Sequence, residues 1–282
     1  MGFFKTLFGG KPETEEQQKK NDEERQFDVL KYDGVKAMRL HITDHATRCF
    51  QAALKIHDDL EIHDYLSQVF MMANQMPEAL GEIEILKRAE PENTGIIMRS
   101  VQVRYMMEDY EGMAGECKAI LQLKEDEALA SLMLARAQLG LNNTGEALQT
   151  LTDVIKREPD FADARLLKAG TLIKEHRPEE AEEDTAWLME AAPDNEDVLL
   201  LKVRLEHEKG NLEQALEYCN KVIDVNPFSA DAFNERAELR KSMGDEEGAS
   251  QDLEYVKTLT PENDNQDIAR KMQEESSLNP LM

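Results

Sequence analysis

His41 and His45 stand four residues apart, with His57 and His63 close behind. One helical turn would put the first two imidazoles on the same side, the usual way of gathering histidines around a metal. No cysteine or acidic ligand at a fixed spacing accompanies them, and His41 falls at a predicted turn, so the expectation is solvated surface histidines. Cys49, Cys117 and Cys219 are odd in number and far apart. They fit neither a disulfide framework nor a zinc spacing, and a reducing, cytoplasmic setting is the simpler expectation. Carboxylates are plentiful, but runs such as Glu179-Glu180-Ala181-Glu182-Glu183-Asp184 read as solubilising helix surfaces with nothing to raise a pKa. No glycine-rich phosphate loop, serine elbow or paired metal motif is present. The expectation is therefore no catalytic residue, no metal ligand and no cofactor, in a chain that is not an enzyme.

Of the 282 residues, 58 are acidic and 33 basic, a formal net charge of -25. Such a surface repels phosphate backbones, which argues against a nucleic-acid partner. No stretch reaches the roughly eighteen apolar residues that a spanning helix needs. The start, with Phe3, Phe4, Leu7 and Phe8 around Lys5, is too short and too glycine-broken for a secretory signal. It suits either peripheral membrane or partner docking through residues 1–10, or a disordered or self-packed end that can plug a groove of its own chain. Met1-Gly2 with Thr6 is also a weak acylation pattern.

Positioning falls to a repeat. Pro159, Pro193, Pro227 and Pro261 recur every 34 residues, Pro91 lies on the same grid, and Glu125 stands where one proline is missing. Twelve residues before each stands Ala79, Ala147, Ala181, Ala215 or Ala249, with Met113 the departure; twelve earlier come Ser67, Val101, Ala135, Ala169, Val203 and Ala237. Small side chains belong where two helices cross closely, and rows such as Ile83, Leu151 and Leu253, or Leu86, Ile120, Val154, Leu188, Val222 and Val256, fill the space beside them. Cys117 and Cys219 fall in such a large-residue place and read as core packing. Lys209-Gly210-Asn211 and Met243-Gly244-Asp245 put glycine after one helix and a capping side chain before the next. Each repeat is thus expected to be two antiparallel helices, with proline between hairpins.

Phe233, Ala237, Gly244, Asp245, Ala249, Leu253, Val256 and Pro261 resemble the signature of the tetratricopeptide repeat family. The resemblance implies an all-α, right-handed superhelical solenoid of about seven hairpins, at 27–60, 60–93, 94–127, 128–161, 162–195, 196–229 and 230–263. The first is the weakest, matching through Gly34, Ala46, Phe50 and Ala53. Residues 1–26 read as a polar tether with an apolar start, residues 11–25 being a frayed helix or a tether; 264–282 read as a capping helix, Asp267–Met272, and a tail.

In this family the first helices line the ligand face, so the resemblance implies an adaptor or scaffold for a protein or peptide partner. The second, fifth, ninth and twelfth places of each first helix lie roughly one turn apart. They hold Met71, Met98, Tyr105, Leu129, Leu132, Leu139, Leu166, Ile173 and Leu200, with Met72 and Met106 adjacent and Arg136 and Arg204 interspersed. That pattern predicts an apolar groove for an amphipathic helix or apolar segment with acidic flanks. The competing reading has these leucines and methionines half-buried against neighbouring hairpins. The family's lysine–asparagine clamp for a terminal carboxylate is not matched, Lys31 and Asn234 being separated by most of the array. Trp187 falls on a second helix, as an outer contact or as packing on the next hairpin. The alternative function is a membrane-associated assembly factor or co-chaperone anchored through the apolar start.

Overall fold

A computed structural model describes residues 14–259. All regular structure among them is α-helical: α1 (Glu15–Arg39), α2 (Thr43–Leu54), α3 (Leu60–Met72), α4 (Met76–Ala89), α5 (Thr94–Met106), α6 (Tyr110–Leu123), α7 (Ala128–Gly140), α8 (Thr144–Arg157), α9 (Ala162–Lys174), α10 (Pro178–Ala191), α11 (Glu196–Glu208), α12 (Leu212–Val225), α13 (Ala230–Ser242) and α14 (Glu246–Leu259). From α3 onward, first helices start at 60, 94, 128, 162, 196 and 230 and second helices at 76, 110, 144, 178, 212 and 246, the interval the prolines keep. Phe3, Phe4, Leu7, Phe8, the Gly2 and Thr6 pattern, Pro261 and the 264–282 cap and tail lie outside the described residues. No helix among the described residues is long and apolar enough to cross a membrane.

The chain divides into two compact units, Met1–Ala147 and Leu148–Met282, within α8. In the first, α1 packs on α2, α3 on α4 and α5 on α6, while α2–α3, α4–α5 and α6–α7 contacts join successive hairpins. In the second, α9–α10, α11–α12 and α13–α14 pair, joined through α10–α11 and α12–α13. The small-residue columns explain these pairings. Ser67, Val101 and Ala135 with Ala79, Met113 and Ala147 in the first unit, and Ala169, Val203 and Ala237 with Ala181, Ala215 and Ala249 in the second, are all essentially sealed from solvent. In the first hairpin the crossing is closer still, since a Cβ on Gly34 would stand 2.5 Å from the Phe50 ring. Beside the columns Ile83, Ile120, Leu151 and Leu188 are fully buried, each worth about 1.5–3 kcal/mol of apolar transfer.

The connections within hairpins share one geometry. His41, Asn74, Glu108, Asn142, His176, Gly210 and Gly244 all have positive φ, between 56° and 85°. The next N–H then donates back to the carbonyl five residues earlier, as from Gln75 to Phe70 at 2.8 Å and from Asn211 to Glu206 at 2.8 Å. This is the Schellman ending of a helix, and the two glycines are its unstrained members.

Of the two readings left open for the polar start, a frayed helix or a tether, residues 15–26 take the helical one and belong to α1. Thr14 and Gln17 close a capping box, Glu15 and Glu16 favour the positive helix start, and Lys19 stands 4.0 Å from Glu23 one turn on. Local capping thus carries the helix beyond the residues that its hairpin buries.

Candidate partner-binding site

First helices touch one another between hairpins, α1 with α3 and α5 with α7 in the first unit, α9 with α11 and α11 with α13 in the second. Whatever lies side by side on these helices and stays solvent-accessible is available to a guest. In the first unit Tyr105 (42% exposed) and Leu129 (44%) are open, and Met71, Met98, Arg136 and Leu139 are half-buried. Met72 and Met106 are also exposed. Tyr105 and Met106 follow Met71 and Met72 by one repeat, and Leu139 continues the row. The Arg136 guanidinium stands 5.9 Å from the Tyr105 ring centroid, a cation over an aromatic face.

Three of the eleven candidate residues are instead core. Leu132 lies in α7, whose buried side chains Ala130, Ser131, Leu132, Met133, Leu134, Ala135, Ala137 and Gln138 run around the helix, so no solvated stripe remains at its fifth place. Ile173 packs with Val198, Leu201 and Leu205, and Leu200 with Val203, Ala215 and Val222. In the second unit α11 leans closely enough on α9 and α13 to seal these side chains. There Leu166 is half-buried and Arg204 exposed, its Nε donating to Glu235. Arg204 helps line a pocket of about 520 Å³ with Gly170, Ile173, Lys174, His207 and Glu238. Gly170 and His207 occupy ninth and twelfth places, so the register that picked out Arg204 also held the signal for them.

The charged groups are arranged by the repeat as well. Arg165 and Lys168 on α9 both donate to Asp184 on α10, and Asp184 is 2% exposed. It belongs to the run read as a solvated surface, and the structure corrects that reading: its place on α10 faces the hairpin interior. Arg236 and Arg240 hold Asp252 in the same way, two repeats later. In the first unit His63 pairs with Glu82 through Nδ1 and with Asp58 through Nε2, at 2.5 and 2.9 Å. His63 is thus buried, against the expectation of a solvated histidine. Burial opposes its charged form, but the hydrogen bonds to Glu82 and Asp58 outweigh that and raise its pKa above the ordinary histidine value. The other histidines do not converge on it: His41 is in a turn, His45 sits 3.7 Å from Cys49 Sγ, and His57 meets the Phe27 ring edge-on. Burial pushes the Cys117 and Cys219 thiols up to about 12, so neither is a nucleophile at neutral pH. Trp187 is half-buried against the core, with the Arg165 guanidinium 4.8 Å from its ring centroid, which favours the packing role.

Family models described as "Tetratricopeptide repeat" match residues 132–196 and 196–229. Tetratricopeptide repeat protein 36 of Danio rerio is 42% identical over 53 residues, 19% of this chain and 28% of that protein. The Homo sapiens protein of the same name is 33% identical over 122 residues, 43% of this chain and 61% of that protein. The chain thus spans less than two thirds of these curated relatives' length. A crystal structure of a tetratricopeptide repeat protein from Parabacteroides merdae superposes with a TM-score of 0.72 at 14% identity, covering 88% of this chain and 97% of that one. Helical hairpins at a 34-residue interval, sealed small-residue columns and these matches together make the chain a tetratricopeptide-repeat protein.

Proposed function

We propose that the chain is an adaptor that holds an apolar segment of a partner protein, helical or extended, against the first helices of its first unit. The observation that carries this reading is the row of Met71 and Met72, Tyr105 and Met106, and Leu139, repeated from helix to helix and left partly or wholly open. Apolar side chains gathered on a surface mark contact sites more often than isolated ones do, and methionine adapts to varied shapes. Met98 and Leu129 flank the row, and Arg136, held over Tyr105, is placed to meet a carboxylate at the guest's flank. In the second unit, Leu166 and Arg204 offer a smaller and more polar contact beside the 520 Å³ pocket. Repeats of this kind act as protein-interaction scaffolds, and the reading needs no catalysis.

Peptides selected from a random display library against the full chain test this. They should be amphipathic with acidic residues at one end, and Tyr105→Ser should weaken them at least about tenfold, the scale of a tyrosine hot spot. Thermal stability should hold, because Tyr105 is 42% exposed. Selected peptides that bind the Tyr105→Ser and Leu129→Ser chains as well as the unaltered one would sink the reading.

A further inference from the structure

The third and tenth places of a first helix are pressed by the hairpin before it. Ile96 and Val103 of α5 share a cluster with α3 and α4, Val198 and Leu205 of α11 with α9 and α10, and Ala232 and Leu239 of α13 with α11 and α12. At the sixth place of α3, Tyr65 stacks on Phe50 of α2 at 5.3 Å. No hairpin precedes α1 among the described residues, and there the same three places hold Val29, Tyr32 and Lys36. Val29 is 59% exposed and Tyr32 70%, while Leu40, one turn beyond Lys36, is 60% exposed. This stripe lies across α1 from Phe27, Gly34 and Met38, which face the core. It also avoids the second, fifth, ninth and twelfth places, so it is separate from the partner-binding face.

We infer that this stripe docks the same helix of a second copy of the chain, packed antiparallel about a two-fold axis at Val29. Charge selects this occupant. Asp22 and Lys36 each stand seven residues from Val29, and Arg25 and Asp33 each stand four, all of them exposed. An antiparallel second copy therefore sets Asp22 level with Lys36 and Arg25 level with Asp33, twice over by symmetry. An in-register parallel copy would set like charge against like. At the axis Val29 meets its counterpart, with one Tyr32 ring a turn above and the other a turn below. Length agrees. α1 has 25 residues where the later first helices have 13, and among residues 15–26 every side chain except Asn21 is exposed. A polar helix end of this kind is marginal in water alone. The antiparallel copy reaches it, because Gln18 comes level with Leu40 over a contact about 33 Å long. The net charge of -25 does not forbid the pair. The rest of each copy lies beyond a helix diameter of about 10 Å, more than the screening length of about 8 Å at physiological salt.

Sedimentation of the full chain from about 1 to 300 µM in about 0.15 M salt tests this. The mass should rise from monomer to dimer with concentration. Tyr32→Glu should remain a monomer with unchanged helical circular dichroism, since Tyr32 is 70% exposed. Lys36→Asp and Asp22→Lys should each weaken self-association at least about fivefold by setting like charges level. An equimolar mixture of these two variants should regain it, because every Asp22–Lys36 level then pairs opposite charges in the mixed dimer. A monomer at every concentration would overturn the inference, as would a dimer that Tyr32→Glu leaves intact or a mixture that associates no better than its components. Dimerisation only after removal of residues 1–13 would overturn it in favour of a face covered by the chain's own start.

Discussion

Replacing Asp184 with alanine removes the carboxylate that Arg165 and Lys168 share inside the α9–α10 hairpin. The two cations respond differently. Lys168 retains 22% side-chain exposure and can turn its ammonium to water, so its share of the loss is small. Arg165 is 9% exposed and keeps only the Pro159 carbonyl, 2.9 Å from its Nε, and the Trp187 ring. Leaving one partner of a buried pair uncompensated costs about 3–5 kcal/mol, and the surviving contacts place this variant near the lower end, at about 3 kcal/mol. Trp187, the only tryptophan in the chain, lies against Arg165 and reports the event directly. Urea unfolding followed by its fluorescence should show a lower midpoint with an unchanged slope. Arg165→Met/Asp184→Leu, which replaces both charges with apolar side chains, should return to within about 1 kcal/mol of the unaltered chain. A loss below about 1 kcal/mol in Asp184→Ala, or a double variant no better than the single, would refute the view that this pair is buried and paired by the repeat.

Glu108 holds a left-handed turn that glycine adopts without strain, so Glu108→Gly should raise stability by about 1 kcal/mol in denaturant titrations; no gain would mean the turn is not strained. Gly140→Ala would set a Cβ 2.4 Å from the Tyr110 ring, and calorimetry should register a loss of about 1–3 kcal/mol although alanine is the better helix former. His63 has a raised folded-state pKa, so the stability it confers is complete below its unfolded value of about 6.5 and is lost as pH rises through the folded value. Circular-dichroism melts across that range should show the decline in the unaltered chain and not in His63→Gln, and parallel profiles would exclude the coupling.

The fold was legible because steric demands at a helix crossing leave few choices of side chain. Ala79, Ala181 and Ala215 could be recognised from spacing alone, and even Met113, the odd member, is sealed in its column. The turns were half legible: Gly210 and Gly244 announce a left-handed residue, but His41, Glu108 and His176 adopt the same conformation without the type that signals it. The exposure of the candidate face was legible in part. A register gives the direction in which a side chain leaves its helix, and that suffices to leave Tyr105 and Leu129 exposed. It does not give how far the next helix leans over, which is what seals Ile173 and Leu200. The charge pairs were hidden by abundance. His63 with Glu82 and Arg165 with Asp184 share one separation in corresponding hairpins, yet among 58 acidic residues that recurrence does not stand out.

The most direct measurement of the central claim is hydrogen exchange along the chain with and without a library-selected peptide. Slowed exchange in α3, α5 and α7, strongest around Met71, Met98 and Tyr105 and weak in α4 and α6, is the predicted footprint. Slowing confined to α4 and α6, or none between residues 60 and 140 while the peptide is bound, would contradict it.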